Sequence, residues 1–273
     1  MSLPRPNMAP QITVALVLIF ASTFSRSESG EPGIWQQRNG TSLAAGVFLS
    51  NYSSNIQKST RANLGTRIDL EDDLGMDNDD EIFRLSIAVR PWPRHRFFLS
   101  YMNMDRHGDE VLSKDIEFDG IIFPIDTRVK SALDIDMYRG GYNWSFLQNN
   151  EWELGLSLGL YWIDLDMQMD SIDSDFKSEH GFSDPFPMIG FSGSWLVNDD
   201  WMISATAEGF RIDQNNIDGT FYNFRLAGEY AVTGNLSVGA GYDFVRIDAE
   251  NTKKNNEIVY DYDGALIFLR WSL

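Results

Sequence analysis

The chain has 273 residues, a formal net charge of −18 and no cysteine. Its 43% hydrophobic content is too high for a disordered polymer, and its 23% charged content is too high for a helical membrane protein. The acidic balance excludes a phosphate-backbone binder, which needs clustered Lys and Arg; the lack of Cys excludes disulfide scaffolds, zinc–thiolate sites and thiol catalysis.

The first segment, Met1 to Gln11, holds one basic residue, Arg5, and is followed by the apolar run Ile12 to Ala21 (ITVALVLIFA). Small and polar residues continue to Gly30. This is the pattern of a secretory signal peptide. The run is too short for a transmembrane helix, which needs about 20 apolar residues. Cleavage is expected between Ala21 and Gly30, which sets residues 1–27 as the signal and 28–273 as the exported domain.

Beyond it the chain alternates with period two. In the clearest stretch Trp152, Leu154, Leu156, Leu158, Leu160 and Trp162 share one face. Glu153, Gly155, Ser157, Gly159 and Tyr161 share the other. That spacing predicts a strand with one strongly apolar side. The same reading gives ten strands, near residues 42–52, 81–91, 95–105, 129–146, 151–166, 186–197, 201–213, 219–231, 235–249 and 257–273. Residues 53–70 either extend the first strand or add a hairpin arm. No useful stretch has helical period.

Four connections are tight and carry turn formers: Pro91–Arg94, Leu147–Asn150, Asn198–Asp200 and Val232–Asn235. The others are longer, above all 53–80, 106–128 and 167–185. The predicted fold is therefore all-β: a closed antiparallel transmembrane β-barrel of about ten strands (eight to twelve), with short periplasmic turns and long acidic extracellular loops.

Tryptophan placement supports a membrane setting. Trp92, Trp144, Trp152, Trp195, Trp201 and Trp271 lie at the short-turn end, and Trp162 lies toward the other. Ten residues separate Trp152 from Trp162. A strand of that length, tilted by about 40°, rises about 25 Å, the height of an outer-membrane apolar band. Indole rings favour such interfaces, so Trp144, Trp152, Trp162, Trp195, Trp201 and Trp271 form a candidate aromatic girdle. The competing fold is a secreted soluble β-sandwich with a ligand pocket. Against a soluble barrel, so many inward apolar side chains would overfill eight to ten strands.

The opposite face is small and polar, with charges at Arg84, Glu208, Arg225, Glu229, Arg270, Arg139 and Glu153. These are expected to form a network that fills the lumen, since buried charges must pair. Glu208 falls near Arg225, and Glu229, Ser237 and Arg270 fall near one level. The expected lumen is closed or narrow.

The first long loop carries Asp69, Glu71, Asp72, Asp73, Asp77, Asp79 and Asp80, with no base from Ile68 to Phe83. It reads either as a solvated repulsive surface or as a site for Ca²⁺ or Mg²⁺ shared with lipopolysaccharide phosphates. The EF-hand pattern fails from Asp77 onward, and the metal is left unassigned. No cofactor is implied. Three histidines exist. His95 follows a short turn. His107 lies beside Asp105, with Ser113 six residues on, and His180 lies near Ser178 and Ser183. The last two are the candidates if the rim carries lipid A-modifying or proteolytic chemistry.

The C-terminal alternation Ala265, Ile267, Leu269, Trp271 and Leu273 resembles the outer-membrane assembly signal, with Leu where Phe is usual. The whole pattern resembles small Gram-negative outer-membrane barrels of the OmpA- and OmpW-like class. Leu64–Gly75 (LGTRIDLEDDLG) and Pro93–Tyr101 (PRHRFFLSY) resemble a poorly characterised proteobacterial single-barrel family. The resemblance implies a monomer in the cell outer membrane. Its partners would be lipid, lipopolysaccharide and, through the C-terminal strand, the barrel-assembly machinery. Nucleic acid is not expected. The implied role is structural, surface-binding or narrow-channel, and non-catalytic.

Overall fold

The computed structural model describes residues 40–57, 66–118, 120–172, 176–214, 217–251 and 256–273. The signal segment lies outside the described residues. Ten long strands form one antiparallel sheet that closes on itself. They are β1 (Gly40–Gln57), β3 (Asp79–Trp92), β4 (His95–Val111), β7 (Arg128–Gln148), β8 (Trp152–Ser171), β9 (Lys177–Leu196), β10 (Trp201–Gln214), β11 (Ile217–Ala231), β12 (Leu236–Asn251) and β13 (Asn256–Ser272). Closure is the pairing of β13 with β1, from Ser42 opposite Ser272 to Gln57 opposite Glu257. It removes the two terminal edges of the sheet, which a sheet in hydrocarbon requires.

Three short strands belong to the long loops. β2 (Arg67–Asp69) pairs with the top of β1, and β5 (Ile116–Phe118) forms a hairpin with β6 (Ile121–Phe123). Following paired residues from Thr41 to Val89 and on across all ten strands returns to β1 at Ser53, twelve positions higher. Ten strands with that stagger tilt by about 40°, within the usual range for barrels.

Each expected strand is present, but most run further at the long-loop end. β8 reaches Ser171, and β9 starts at Lys177. The alternation continues through these extensions with its polarity reversed. On β8 the exposed face reads Leu158, Leu160, Trp162 and then Asp164, Asp166 and Gln168. The inward face reads Ser157, Gly159, Tyr161 and then Ile163, Met167 and Met169, the last three buried. Strand β7 does the same, with Arg139 below and Met137, Ile135 and Leu133 above on the inside. The switch lies at the level of Trp162. Below it apolar side chains face outward, with Ile189 60% and Phe191 63% exposed. That outward face excludes the sandwich, whose apolar faces would pack on each other. Above it the barrel holds its own apolar core and continues for roughly 20 Å of tilted strand.

The loops finish that core. Leu70, Leu74 and Met76 from the first loop and Leu112, Ile116, Phe118 and Phe123 from the second are buried over the barrel mouth. Gly108 on β4 permits the approach of the first loop, because a Cβ there would stand 2.2 Å from the Leu74 carbonyl oxygen. Lower down, Gly239 leaves room for the inward Phe268 ring, 2.1 Å from where its Cβ would be.

Candidate functional site: the charged lumen and the acidic head

The small inward residues of the lower half leave space, and six arginines with four carboxylates occupy it in two layers. The upper layer sits at mid-barrel. Arg225 on β11 donates from Nε and Nη2 to both Asp243 oxygens, each at 2.5 Å. Arg84 on β3 reaches the same carboxylate across the lumen at 2.7 Å. Arg139 on β7 clamps Glu208 on β10 with two hydrogen bonds, one of them at 2.9 Å, and its guanidinium lies 4.1 Å over the Phe98 ring. Tyr161 donates to Glu208 at 3.2 Å. Side-chain exposure is 3% for Asp243 and 1% for Glu208, so these charges depend on one another.

The lower layer lies near the short turns. Arg90 meets Glu153 at 2.6 Å, and the Ser145 hydroxyl donates to the same carboxylate. Arg270 meets Glu229 at 3.0 Å, and Ser237 donates to Glu229 at 2.5 Å. Arg96 and Arg270 line the space between the layers.

The structure therefore brings Glu229, Ser237 and Arg270 together and corrects the other expected pair. Glu208 lies opposite Asn223, while Arg225 lies opposite Asp243. The partner of Glu208 comes from β7, across the lumen. Arg139 and Glu153 both sit in the network, each with a partner that strand-by-strand reading did not assign. Arg84 was expected on the inward face and is there, with Asp243 as its partner. Asp243 and Arg90 were missing from the expected network, although their position on the inward face was visible in the alternation.

Above the switch level a further pair ties the first loop to the barrel. Arg106 on β4 meets Glu71 at 2.7 Å, donates to the Asp77 carbonyl at 2.7 Å and to the Ser54 hydroxyl at 3.1 Å, and covers the Tyr52 ring at 4.2 Å. Burial pushes the Tyr52 hydroxyl up to about 12.

The acidic loop residues largely bind their own chain. Asp69 accepts from the Glu71 and Asp72 amides at 3.2 and 2.9 Å. Asp73 accepts from the Asp69 amide at 2.9 Å and meets Lys114 at 2.6 Å, and Asp80 accepts from the Glu81 amide at 2.7 Å. Asp72, Asp77 and Asp79 are exposed. Among the described residues no three His, Cys, Asp or Glu side chains converge on a metal position.

Outside the barrel, just above Trp162, runs an acidic belt that includes Asp105, Asp134, Asp136, Asp164 and Asp261. Partial burial, reinforced by Asp136, Asp105 and Asp166, raises the Asp134 carboxyl above its ordinary range. Higher up, the hydrogen bond from Arg128 lowers Asp109. The six girdle tryptophans are all partly exposed, and Trp152 stacks on Trp195 at 5.4 Å. His107 lies 3.3 Å from Asp105, both well exposed on the outer face. His95 meets the Tyr142 hydroxyl at 2.6 Å at the short-turn end. The His180 side chain lies outside the described residues.

No family model matches the chain. No curated protein matches it either. Among solved structures it resembles the outer membrane protease OmpT from Escherichia coli, with a TM-score of 0.56 at 11% identity, over 91% of this chain and 99% of that one. It also aligns with the attachment invasion locus protein Ail of Yersinia pestis, solved with the heparin analogue sucrose octasulfate (TM-score 0.37, 12% identity, 84% and 99% covered). A third is Neisserial surface protein A (TM-score 0.32, 14% identity, 86% and 98% covered). The overlaps with the last two are too slight to carry an argument. The likeness to OmpT is one of fold, and the fold is that of a small outer-membrane barrel.

Proposed function

We propose that the protein is exported by residues 1–27 and sits in the outer membrane as a monomeric barrel. It acts there as a closed structural or surface-binding element and does not conduct across the membrane. The observation that carries this reading is a lumen obstructed twice. The Arg84–Asp243–Arg225 and Arg139–Glu208 clamps cross it at mid-barrel, and the apolar core under the first two loops fills it above. Ten strands leave little space beyond such a filling. The lipid partners are the chains around the apolar band and the lipopolysaccharide at the acidic belt. Strand β13 is the segment offered to the assembly machinery.

Planar-bilayer recording tests this reading. The purified protein is expected to give no sustained conductance steps of nanosiemens size; such steps would overturn it. A rim enzyme is the second reading, favoured by His107 beside Asp105 at the outer edge. Both residues lie on an exposed face, without the enclosure that positions a substrate. Lipid-modifying or proteolytic activity that disappears in His107→Ala or His180→Ala would move the conclusion there.

A further inference from the structure

We propose that the lower lumen is a binding site for a small tetrahedral oxyanion, free phosphate or sulfate, that enters from the short-turn side. A cavity of about 100 Å³ lies between the two charge layers. Arg84 and Arg225 line it above, and Arg96 and Arg270 line it below. The hydroxyls of Ser192, Ser204 and Thr206 stand on its walls. A cavity of this volume holds a few waters or one hydrated oxyanion. A smaller pocket shares Arg96 and Arg270 and continues to Gly40 and Ser42 at the short-turn end. That pocket, about 10 Å³ and lined also by Arg90, marks the side from which the ion would enter once the arginine side chains move aside, while the packed head closes the other.

Charge identifies the ligand class. Among the described lumen positions of the lower half, six arginines face four carboxylates. Glu153, the one carboxylate lining the cavity, is held by Arg90 and Ser145, and Arg84 and Arg225 share the single Asp243. The lumen of a chain with net charge −18 is thus locally positive. Surplus guanidinium charge inside a lipid-walled barrel is costly, and the same low dielectric strengthens its pull on an anion. Guanidinium edges match oxyanion oxygens in pairs, and the wall hydroxyls donate to those that remain. Lipid phosphates lie outside the barrel wall, so the source is the free ion.

The test is equilibrium dialysis of radiolabelled inorganic phosphate against the purified barrel in a neutral detergent, with ionic strength fixed by sodium chloride. One saturable site per barrel is expected, displaced by sulfate and indifferent to added phospholipid. Arg96→Gln removes one charge, and Ala227→Phe fills the cavity without changing charge. Each is expected to weaken binding at least tenfold while keeping the heat-modifiable mobility of a folded barrel. Should either fail to fold, Thr206→Glu sets a carboxylate against the ion and is expected to do the same. The proposal is overturned by wild-type protein that binds no phosphate saturably, by folded variants that bind it unchanged, by chloride that displaces it as well as sulfate, or by binding that requires phospholipid.

Discussion

Below Trp162 the barrel is lined by Arg, Glu, Ser and Gly and coated by Leu, Phe and Trp. Above it the lining is Leu, Ile and Met and the coat is rich in Asp. The strands do not break between the two regions, and the pairing of β7 with β8 and of β8 with β9 runs through, although β3 and β4 part above Arg84 and Met102, and β9 and β10 part above Ile189 and Gly209. What changes is the solvent outside. In lipid, apolar side chains gain nothing by turning inward, so the lumen is left to polar groups, which must satisfy each other. In water the ordinary hydrophobic effect applies, and the upper barrel folds like a soluble protein around its own core. One sheet therefore carries two opposite folding rules, and the level at which they exchange marks the membrane edge.

The contrast can be broken most severely in the lower lumen. Removing Arg139 as Arg139→Ala leaves Glu208 buried without its clamp and is expected to cost about 3–5 kcal/mol, read from urea titration of the heat-modifiable band. The double change Arg139→Leu with Glu208→Leu should be far milder. In the upper half the equivalent damage is a cavity. Leu133→Ala, at a buried inward position, should cost about 2–5 kcal/mol, whereas Ser157→Ala below should be close to neutral in the same titration. On the outer face, Leu158→Arg lies near the middle of the apolar band and should cost about 2–4 kcal/mol and slow assembly. Asp166→Arg, eight residues along the same face but above the switch, should leave assembly unaltered. If these two behave alike, the level of the membrane edge is wrong.

The smallest effect concerns pH. Asp134 titrates higher in the folded head than in the unfolded chain, so its charge weakens the head at neutral pH. That penalty is relieved as pH falls through the raised value, and is gone below the unfolded range near about 4. Asp109, lowered by Arg128, behaves oppositely: its contribution is present above the unfolded range and is lost as pH falls through its depressed value. Asp134→Asn should therefore stabilise the head at neutral pH by a few tenths of a kcal/mol, given its exposure, and the gain should vanish in acid. Denaturation midpoints at neutral and acidic pH check this.

Much of this was readable in advance, and for a local reason. A strand's side chains alternate, so apolar spacing at Leu154, Leu156 and Leu158 is enough to set the facing, and the tight turns at Pro91–Arg94 and Asn198–Asp200 fix where strands reverse. The reversal of polarity was also written there, in Ile163, Met167 and Met169 alternating with Asp164, Asp166 and Gln168. It was obscured because that phase, taken alone, is what a soluble strand shows. The acidic run after Ile68 looked like a solvated or cation-binding loop. Arg106 and Lys114, distant in sequence, draw two of its carboxylates into the head.

The sequence by itself determined the fold class, the strand number and the side of each strand that faces outward, because each follows from period-two spacing and the turns between strands. The partners inside the lumen were decided by the tertiary structure alone. A stagger of twelve positions around ten strands sets which inward side chains share a height, and only closure fixes that stagger. Hence Arg139 meets Glu208 from three strands away, and Asp243 receives Arg84 and Arg225 together.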